Sequence, residues 1–308
     1  MKWAAGIDLG ATRIKALACD PDGHALERRI SPTQDGQHDH GQPAWAMRIK
    51  ELLQAFERER GCPPAALGIS APGLAAMDGH AVECMPGRMG GLEGFDWRSF
   101  LNRPDIQVIN DAHAALLGEV WQGAARGARD AILLTLGTGV GGAIWSDGRL
   151  LRGHRNRGGH LGHICLDPDG PPDITGIPGS LEDAVGEATL AQRTQGRFAS
   201  TQALLAAVVQ GDPLAQESWR RMIHCLGCGI ASLINVCDPE LVVLGGGIAE
   251  AGAALLRPLQ EMLDRVEWRP GGQRAHIVRA ELGEWAGAFG AAWNALQHRR
   301  LAKGDTSP

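Results

Sequence analysis

Two stretches of this chain follow one plan, and that plan limits what the rest can be. The first, WAAGIDLGATRIKALACDPDGHALERRI, reads strand, tight glycine turn, strand, Asp-Pro-Asp-Gly turn, strand. The second, AILLTLGTGVGGAIWSDGRLLRG, reads strand, glycine turn, strand, Ser-Asp-Gly turn, strand. Leu9-Gly10 aligns with Leu136-Gly137, and Asp22-Gly23 aligns with Asp147-Gly148 after a two-residue gap. Either one supersecondary unit occurs twice, each copy founding a domain, or two unrelated hairpins share turn residues; duplication is the working expectation.

Strand and helix patterns alternate through the remainder. A helix is predicted over about 44–60, with Trp45, Ile49, Leu52, Leu53 and Phe56 at helical spacing. ALGISAPGL is a short buried strand closed by Pro-Gly, and IQVINDAHAALLGEVWQGA is a strand running straight into a helix. Further helices are predicted over roughly 181–195, 201–209, 213–236 and 249–266, with PELVVLGGGI a buried strand that breaks into three glycines. A last amphipathic helix over about 286–300 is expected to return to the first domain. The expectation is an α/β protein with an N-terminal domain over 1–109, a C-terminal domain over 110–285 and a cleft between them.

Composition narrows the class. At 308 residues, 44% hydrophobic and 21% charged, the chain is an ordinary globular protein long enough for two domains. A formal net charge of −5 gives no electrostatic reason to bind nucleic acid or a membrane surface. No apolar run approaches the roughly 18 residues of a membrane span. The N-terminus enters a strand rather than a signal-peptide core, so a cytoplasmic location is expected. Seven cysteines, an odd number without framework spacing, agree with a reducing compartment. For the one C-x-x-C pair, Cys225 and Cys228, core packing is the expected role, with redox or metal binding the other reading.

Chemistry is expected at the glycine turns. DLGATRIK offers backbone N–H groups at Gly10, Ala11 and Thr12, a hydroxyl at Thr12 and an ammonium at Lys15. LGTGVGG offers bare backbone at Gly137, Thr138, Gly139 and Gly141. Glycine lets consecutive amides approach phosphate oxygens and form an anion nest. With the glycines 245–247 after a buried strand, these turns suggest a split clamp around a polyphosphate and its nucleoside. Neither turn has the G-x-x-x-x-G-K-[ST] spacing of a Walker A loop. Asp8, at the end of the first strand, either holds Mg²⁺ through water or is a solvated turn aspartate. Asp111, where a strand meets a helix, either caps that helix or accepts the proton of an attacking hydroxyl, and Asn110 can also serve as the cap.

The ordered set DLGATRIK, GISAPG, NDAHAALLGE, LTLGTGVGGAIWSDGRLLRG, GHLGH, DPDG, GIPGSLED, DPELVVLGGGI and GAFGAAW resembles the ROK family of sugar kinases and sugar-responsive repressors, from about residue 3 to 297. The resemblance implies an actin-like, ribonuclease-H-like ATPase fold of two domains around ATP and a sugar, with a homodimer common. It implies phosphate contacts at Asp8, Gly10, Thr12 and the 137–139 turn, adenosine against Gly245, Gly246 and Gly247, and Asp111 as catalytic base. Asn110, His163 and Glu182 fall on sugar-contacting positions, and Ser70, Pro72 and Gly73 on a loop lining the sugar site. The repressor branch carries an N-terminal helix-turn-helix, whereas this chain enters the phosphate motif by residue 8.

The chain also departs from the family pattern. ROK kinases usually build a zinc site from a histidine and three cysteines as C-x-C-G-x-x-G-C; here PPDITGIPGS takes that place, so no structural zinc is expected. The usual G-E-I-G-H reads GHLGH, placing His160 for a glutamate, and N-D-A-N reads NDAH, placing His113 for an asparagine. A neutral imidazole offers one donor and one acceptor where a carboxylate only accepts, so a sugar other than glucose is expected. Arg88, Arg152, Arg155 and Arg157 nearby raise the further question of an anionic substrate. The expectation is an ATP- and Mg²⁺-dependent sugar kinase; the alternative is a ROK-like sugar-binding regulator without catalysis. The 31–45 insert has no assigned role.

Overall fold

The two repeated stretches become the antiparallel halves of two five-stranded sheets. In the computed structural model, which describes residues 2–85 and 89–302, the first sheet begins with β1 (Ala4–Leu9), β2 (Arg13–Cys19) and β3 (Ala25–Pro32). Helix α1 (Ala44–Arg60) follows, then β4 (Ala66–Ala71) and β5 (Gln107–Asn110), which runs straight into α2 (Asp111–Gln122). The second sheet takes β6 (Ala131–Leu136), β7 (Val140–Ser146) and β8 (Arg149–Leu150). Helix α3 (Pro213–Cys237) then precedes β9 (Leu241–Gly245), α4 (Ala253–Val266) and β10 (His276–Arg279). Last comes α5 (Ala286–Ala302).

Both sheets have one order, β3-β2-β1-β4-β5 and β8-β7-β6-β9-β10. In each, an antiparallel meander is extended by two parallel strands, which need helical crossovers. At the β7–β8 turn Asp147 and Gly148 have φ of +49° and +72°, the two-residue geometry whose twist matches its strands.

The chain forms two compact units. One holds the described residues of 1–127, 152–158 and 281–308, and the other holds 128–151 and 159–280. The division therefore falls after Gly127 and not between 109 and 110. Helix α2 explains the difference, because it packs along α5. Its fully buried Glu119 accepts hydrogen bonds from the N–H groups of Ala124, Glu281 and Leu282 at 2.8, 3.0 and 2.9 Å. The 152–158 segment joins the first unit through Asn156, whose Nδ2 donates to the carbonyls of Ala75 and Ala76 at 3.1 and 3.2 Å.

Alternation sorts the first sheet's side chains between two layers. Ala5, Ile7 and Leu9 of β1 and Leu67 and Ile69 of β4 pack with Trp45, Ile49, Leu53 and Phe56 of α1. Ala4 and Ala66 face the opposite way, against Ala288, Phe289 and Ala292 of α5. On that side the main chains nearly touch. A Cβ at Gly6 or Gly68 would overlap the carbonyl of Ala288 or Ala291, and one at Gly290 would overlap that of Ala114. The second unit buries Ile132, Leu134 and Leu136 of β6 against Leu226 and Ile230 of α3 and Leu259 and Leu263 of α4. Cys225 and Cys228 lie half-buried along α3, and burial pushes the Cys225 thiol up.

The helix expected over 181–195 is broken into Leu181–Val185, a 3-10 turn at Glu187–Thr189 and Leu190–Arg193. Gly186 causes the break, passing close against the backbone of Thr138 and Gly139 with ψ of 151°. Among the described residues no helix is long and apolar enough to cross a membrane.

Gly68→Ala is expected to cost about 3 kcal/mol of unfolding free energy in urea, since neither main chain can retreat without repacking. Gly90→Ala, where added atoms meet nothing within 4 Å, should stay within about 0.5 kcal/mol. Equal stability of the two variants would contradict a seam of touching backbones.

Candidate active site

Strands β1, β4 and β5 are parallel, so their C-terminal ends share one edge, the edge at which open α/β sheets bind ligands. Asp8, Ser70 and Asn110 occupy those ends. Ser70, fully buried and opposite Asp8 in register, donates from Oγ to Asp8 Oδ1 at 2.8 Å. Lys15 Nζ lies 3.2 Å from Asp8 Oδ2. The Lys15 ammonium, expected at a phosphate, is thus held by Asp8. Gly287 in the first turn of α5 presses on the same carboxylate: a Cβ there would lie 2.7 Å from Asp8 Oδ1.

Asn110 supplies the helix cap. Its Oδ1 accepts from the N–H groups of Ala112 and His113 at 3.0 and 3.1 Å, while Nδ2 donates to Gly73 O at 2.9 Å and Asp111 Oδ1 at 3.0 Å. Asn110 is therefore fully engaged in building the site. Asp111 accepts one further bond, from Ala112 N at 2.8 Å, and its side chain is open to solvent. Crowding by surrounding protein and, second, the like charge of Asp8 push its pKa up to about 6, against the opposing bonds from Ala112 and Asn110. The open side keeps this rise below that of a sealed carboxyl.

The first glycine turn spans β1 and β2. Gly10 N donates to Arg13 O at 3.1 Å, leaving Ala11 and Thr12 exposed at the tip. Thr33, which the sequence did not single out, clamps this turn: its Oγ1 donates to Gly10 O at 2.6 Å and its N–H to Thr12 O at 3.0 Å. Thr33 lies within the 31–45 insert, whose remainder folds into a short ribbon, His38–Asp39 against Gln42–Pro43, with both histidines exposed. Gly73 has φ of +88° and sits against Cys84 O, and Pro72 is half-buried beside it. His113 departs from expectation. It is 3% exposed, and its Nε2 lies 2.8 Å from Gly158 O, so the ring ties down the 152–158 segment.

In the second unit, β6 and β9 are parallel neighbours, which brings the 137–139 and 245–247 turns to one edge. Gly246 has φ of +84°, and any side chain there would strike Leu136 O, the residue before the other turn. Gly137 O and Thr138 O accept from Glu187 N and Ala188 N, each at 2.9 Å, while Thr138 itself is exposed. Glu182, expected at the sugar, has Oε2 bonded to Val140 N at 2.9 Å and packs on Gly139. It braces the phosphate-type turn. His160 is half-buried and precedes the 3-10 turn Leu161–His163. His163 Nδ1 lies 2.8 Å from Asp173 Oδ2. Burial opposes ionisation of Asp173, but hydrogen bonds from His163, Thr175 and Ile177 outweigh it and hold the carboxyl well below the usual range.

A family model described as the ROK family matches residues 4–298. The chain belongs to the ROK family. A ROK hexokinase from Thermus thermophilus is 32% identical with a TM-score of 0.82, the match covering 97% of this chain and 99% of that one. A ROK glucokinase from Streptomyces griseus, solved with glucose and AMPPNP, is 29% identical with a TM-score of 0.74, over 96% and 99%. The N-acetylmannosamine kinase of Escherichia fergusonii is 31% identical over 93% of this chain and 96% of its own. The fold of this ROK protein is accordingly the actin-like ATPase fold.

Two metal ions come with the family, and the residues treat them differently. For Mg²⁺, Asp8 presents hard carboxylate oxygens, and after Lys15 and Ser70 about two of its roughly four lone-pair sites remain. That fits a cation held through water. Zinc does not fit: with the motif's glycines on Gly176 and Gly179, the loop carries Asp173, Thr175 and Ser180 where the family has thiolates, so His163 lacks the soft partners of a tetrahedral site. Among the described residues one trio of metal-type ligand atoms converges, Asp20, Asp22 and His24, at the β2–β3 turn. Among the described residues the arginines do not converge on a common anion site. Arg152 Nη2 donates to Asn294 Oδ1 at 2.7 Å, Arg155 pairs with Glu83 at 3.2 Å, Arg157 is exposed, and Arg88 lies outside the described residues.

Asp173, the partner of His163, and Thr33 were not singled out from the sequence, whereas Lys15, Ser70 and Asn110 were named there for other roles. One local signal existed for Asp173, because Asp-Ile-Thr is the spacing of a self-bonding Asx turn. The Asp111 carboxyl carbon, followed by ¹³C NMR, is expected to titrate near pH 6. Removing the neighbouring charge favours the ionised form, so Asp8→Asn should move that midpoint lower. A midpoint near pH 4 in the unaltered protein, the value of a free aspartate, would contradict the crowding.

Proposed function

We propose that this ATP-dependent sugar kinase phosphorylates a sugar other than glucose, with Asp111 as the base that receives the acceptor hydroxyl's proton. The observation that carries the base assignment is Asn110: by capping α2 it relieves Asp111 of that duty, leaving a solvent-open carboxylate of raised pKa. The sugar oxygen attacks the γ-phosphorus of ATP, its proton passes to Asp111, and the bond to the β–γ bridging oxygen breaks to release ADP. A pKa near 6 leaves the group mostly ionised at neutral pH yet more basic than an ordinary aspartate.

Phosphate contacts are assigned to the exposed tips Ala11–Thr12 and Thr138 with their flanking glycines, and adenosine to the 245–247 turn. Asp8 would hold Mg²⁺ through water, and the ion would supply charge neutralisation on the phosphates. Asn110, Ser70 and Glu182 act by holding Gly73, Asp8 and Val140 in place. His160 stands where the family glutamate accepts sugar hydroxyls, and His113 ties down the 152–158 segment through Gly158. The relatives that act on glucose and on N-acetylmannosamine show that hydroxyl pattern varies within the family. The intact Asp8 and Asp111 weigh against a regulator that has lost catalysis.

ADP release measured across neutral hexoses, N-acylated amino sugars and sugar acids tests this reading. Asp111→Asn is expected to lower kcat by about 10²- to 10⁴-fold while nucleotide still binds; near-normal turnover would remove Asp111 as base. Turnover of the unaltered enzyme should fall on the acid side with a midpoint near pH 6, the ionised carboxylate being the active form. His160→Glu is expected to raise kcat/KM for glucose about tenfold relative to the present best sugar. Glucose already being that best sugar would overturn the specificity reading.

A further inference from the structure

The loop that follows His163 is organised around a single buried anion. The Asp173 side chain has no exposed surface. Its Oδ1 accepts from Thr175 N at 2.8 Å, Thr175 Oγ1 at 2.7 Å and Ile177 N at 3.0 Å, and its Oδ2 faces His163 Nδ1 at 2.8 Å. Backbone bonds close the same loop: Asp173 N to Ile177 O, Gly176 N to Asp173 O and Gly179 N to Pro171 O, each 2.9 Å. Leu166 N to Gly179 O and Leu181 N to Ile164 O fasten it to the segment carrying His163. One carboxylate thus gathers a histidine and a loop tip, the task a structural metal performs elsewhere.

A carboxylate ringed by donors can only accept, so His163 Nδ1 carries the proton between them. In the neutral ring the lone pair then sits on Nε2. Among the described residues Nε2 makes no hydrogen bond, and the His163 side chain is 28% exposed.

We propose that Asp173 is a positioning residue for sugar phosphorylation: without a metal ion, it fixes His163 as the Nδ1–H tautomer and presents Nε2 as an acceptor for a sugar hydroxyl. This rests on the reading that His163 touches the sugar. Second-sphere carboxylates set imidazole tautomer and rotation in the same way at metal centres. Here the carboxylate does so for a ring whose other nitrogen is left for substrate.

The tautomer can be read without turnover. In protein labelled with ¹⁵N-histidine, the resonance lost in His163→Gln should show a protonated Nδ1 and a bare Nε2. A bare Nδ1 overturns the proposal, as does stoichiometric zinc whose removal by chelator shifts that resonance. Kinetics test the positioning itself. Asp173→Asn, verified as folded by circular dichroism, is expected to raise KM for the sugar about tenfold, with KM for ATP and kcat within about twofold. In a His163→Ala background the same change should leave sugar KM within about twofold of that background. An equal rise in both backgrounds would mean that Asp173 acts on the loop alone and would sink the proposal. Loss of the kinase reading shows separately, through Asp111→Asn, and leaves the NMR result intact.

Discussion

Where α5 crosses β1 and β4, little more than glycine hydrogens separates two main chains. Gly6, Gly68 and Gly290 each stand where a single carbon would overlap a carbonyl oxygen. Such contact places many atoms at van der Waals distance, and each contributes little alone. Its larger effect is geometric. It sets the depth at which the first turn of α5 meets the sheet, and there Gly287 abuts the Asp8 carboxylate. The carboxylate is therefore confined by backbone on one side, by the Ser70 hydroxyl in register with it, and by the Lys15 ammonium. The helix end also brings the positive pole of its dipole towards an anion.

That confinement reaches the neighbouring strand. Asp8 has a cation partner, whereas Asp111 has none among the described residues, and the charge of Asp8 adds to crowding in raising the Asp111 pKa. Two carboxylates on one sheet edge are thus set to different tasks by what surrounds them. Asn110 completes the division of labour. A short amide at the cap satisfies two helix N–H groups, holds Gly73 O and still reaches Asp111.

Much of this architecture was legible in the chain. Strand alternation, the Asp-Gly turn and the helical spacing of Trp45, Ile49 and Phe56 are local patterns, and they correspond to β1–β3, β7–β8 and α1. The family motifs located the strand ends. What was not legible is pairing across sequence. Ser70 meets Asp8 from 62 positions away, and no periodicity records that. Lys15 and Glu182 were expected on ligands because their types suit ligands, but each has a nearer protein partner in Asp8 and Val140 N. His113 was expected to face the sugar, and burial turned it to Gly158 O instead. The boundary expected at 109/110 followed the end of β5; the packing of α2 on α5 moved it to Gly127.

Chain order gives the α5 seam one more consequence. The helix that completes the first sheet is made only after the whole of the second unit, since residues 286–302 follow 159–280. Emerging from a ribosome, β1 and β4 must therefore wait with Gly6 and Gly68 uncovered while the second sheet is synthesised. The second unit can collapse first, its sheet complete once β10 appears. Closing the first unit then means forming contacts between the two extremes of the chain, the slowest kind to find. The edge that carries Asp8 and Asp111 is completed only once α5, made after the second unit, has packed against it.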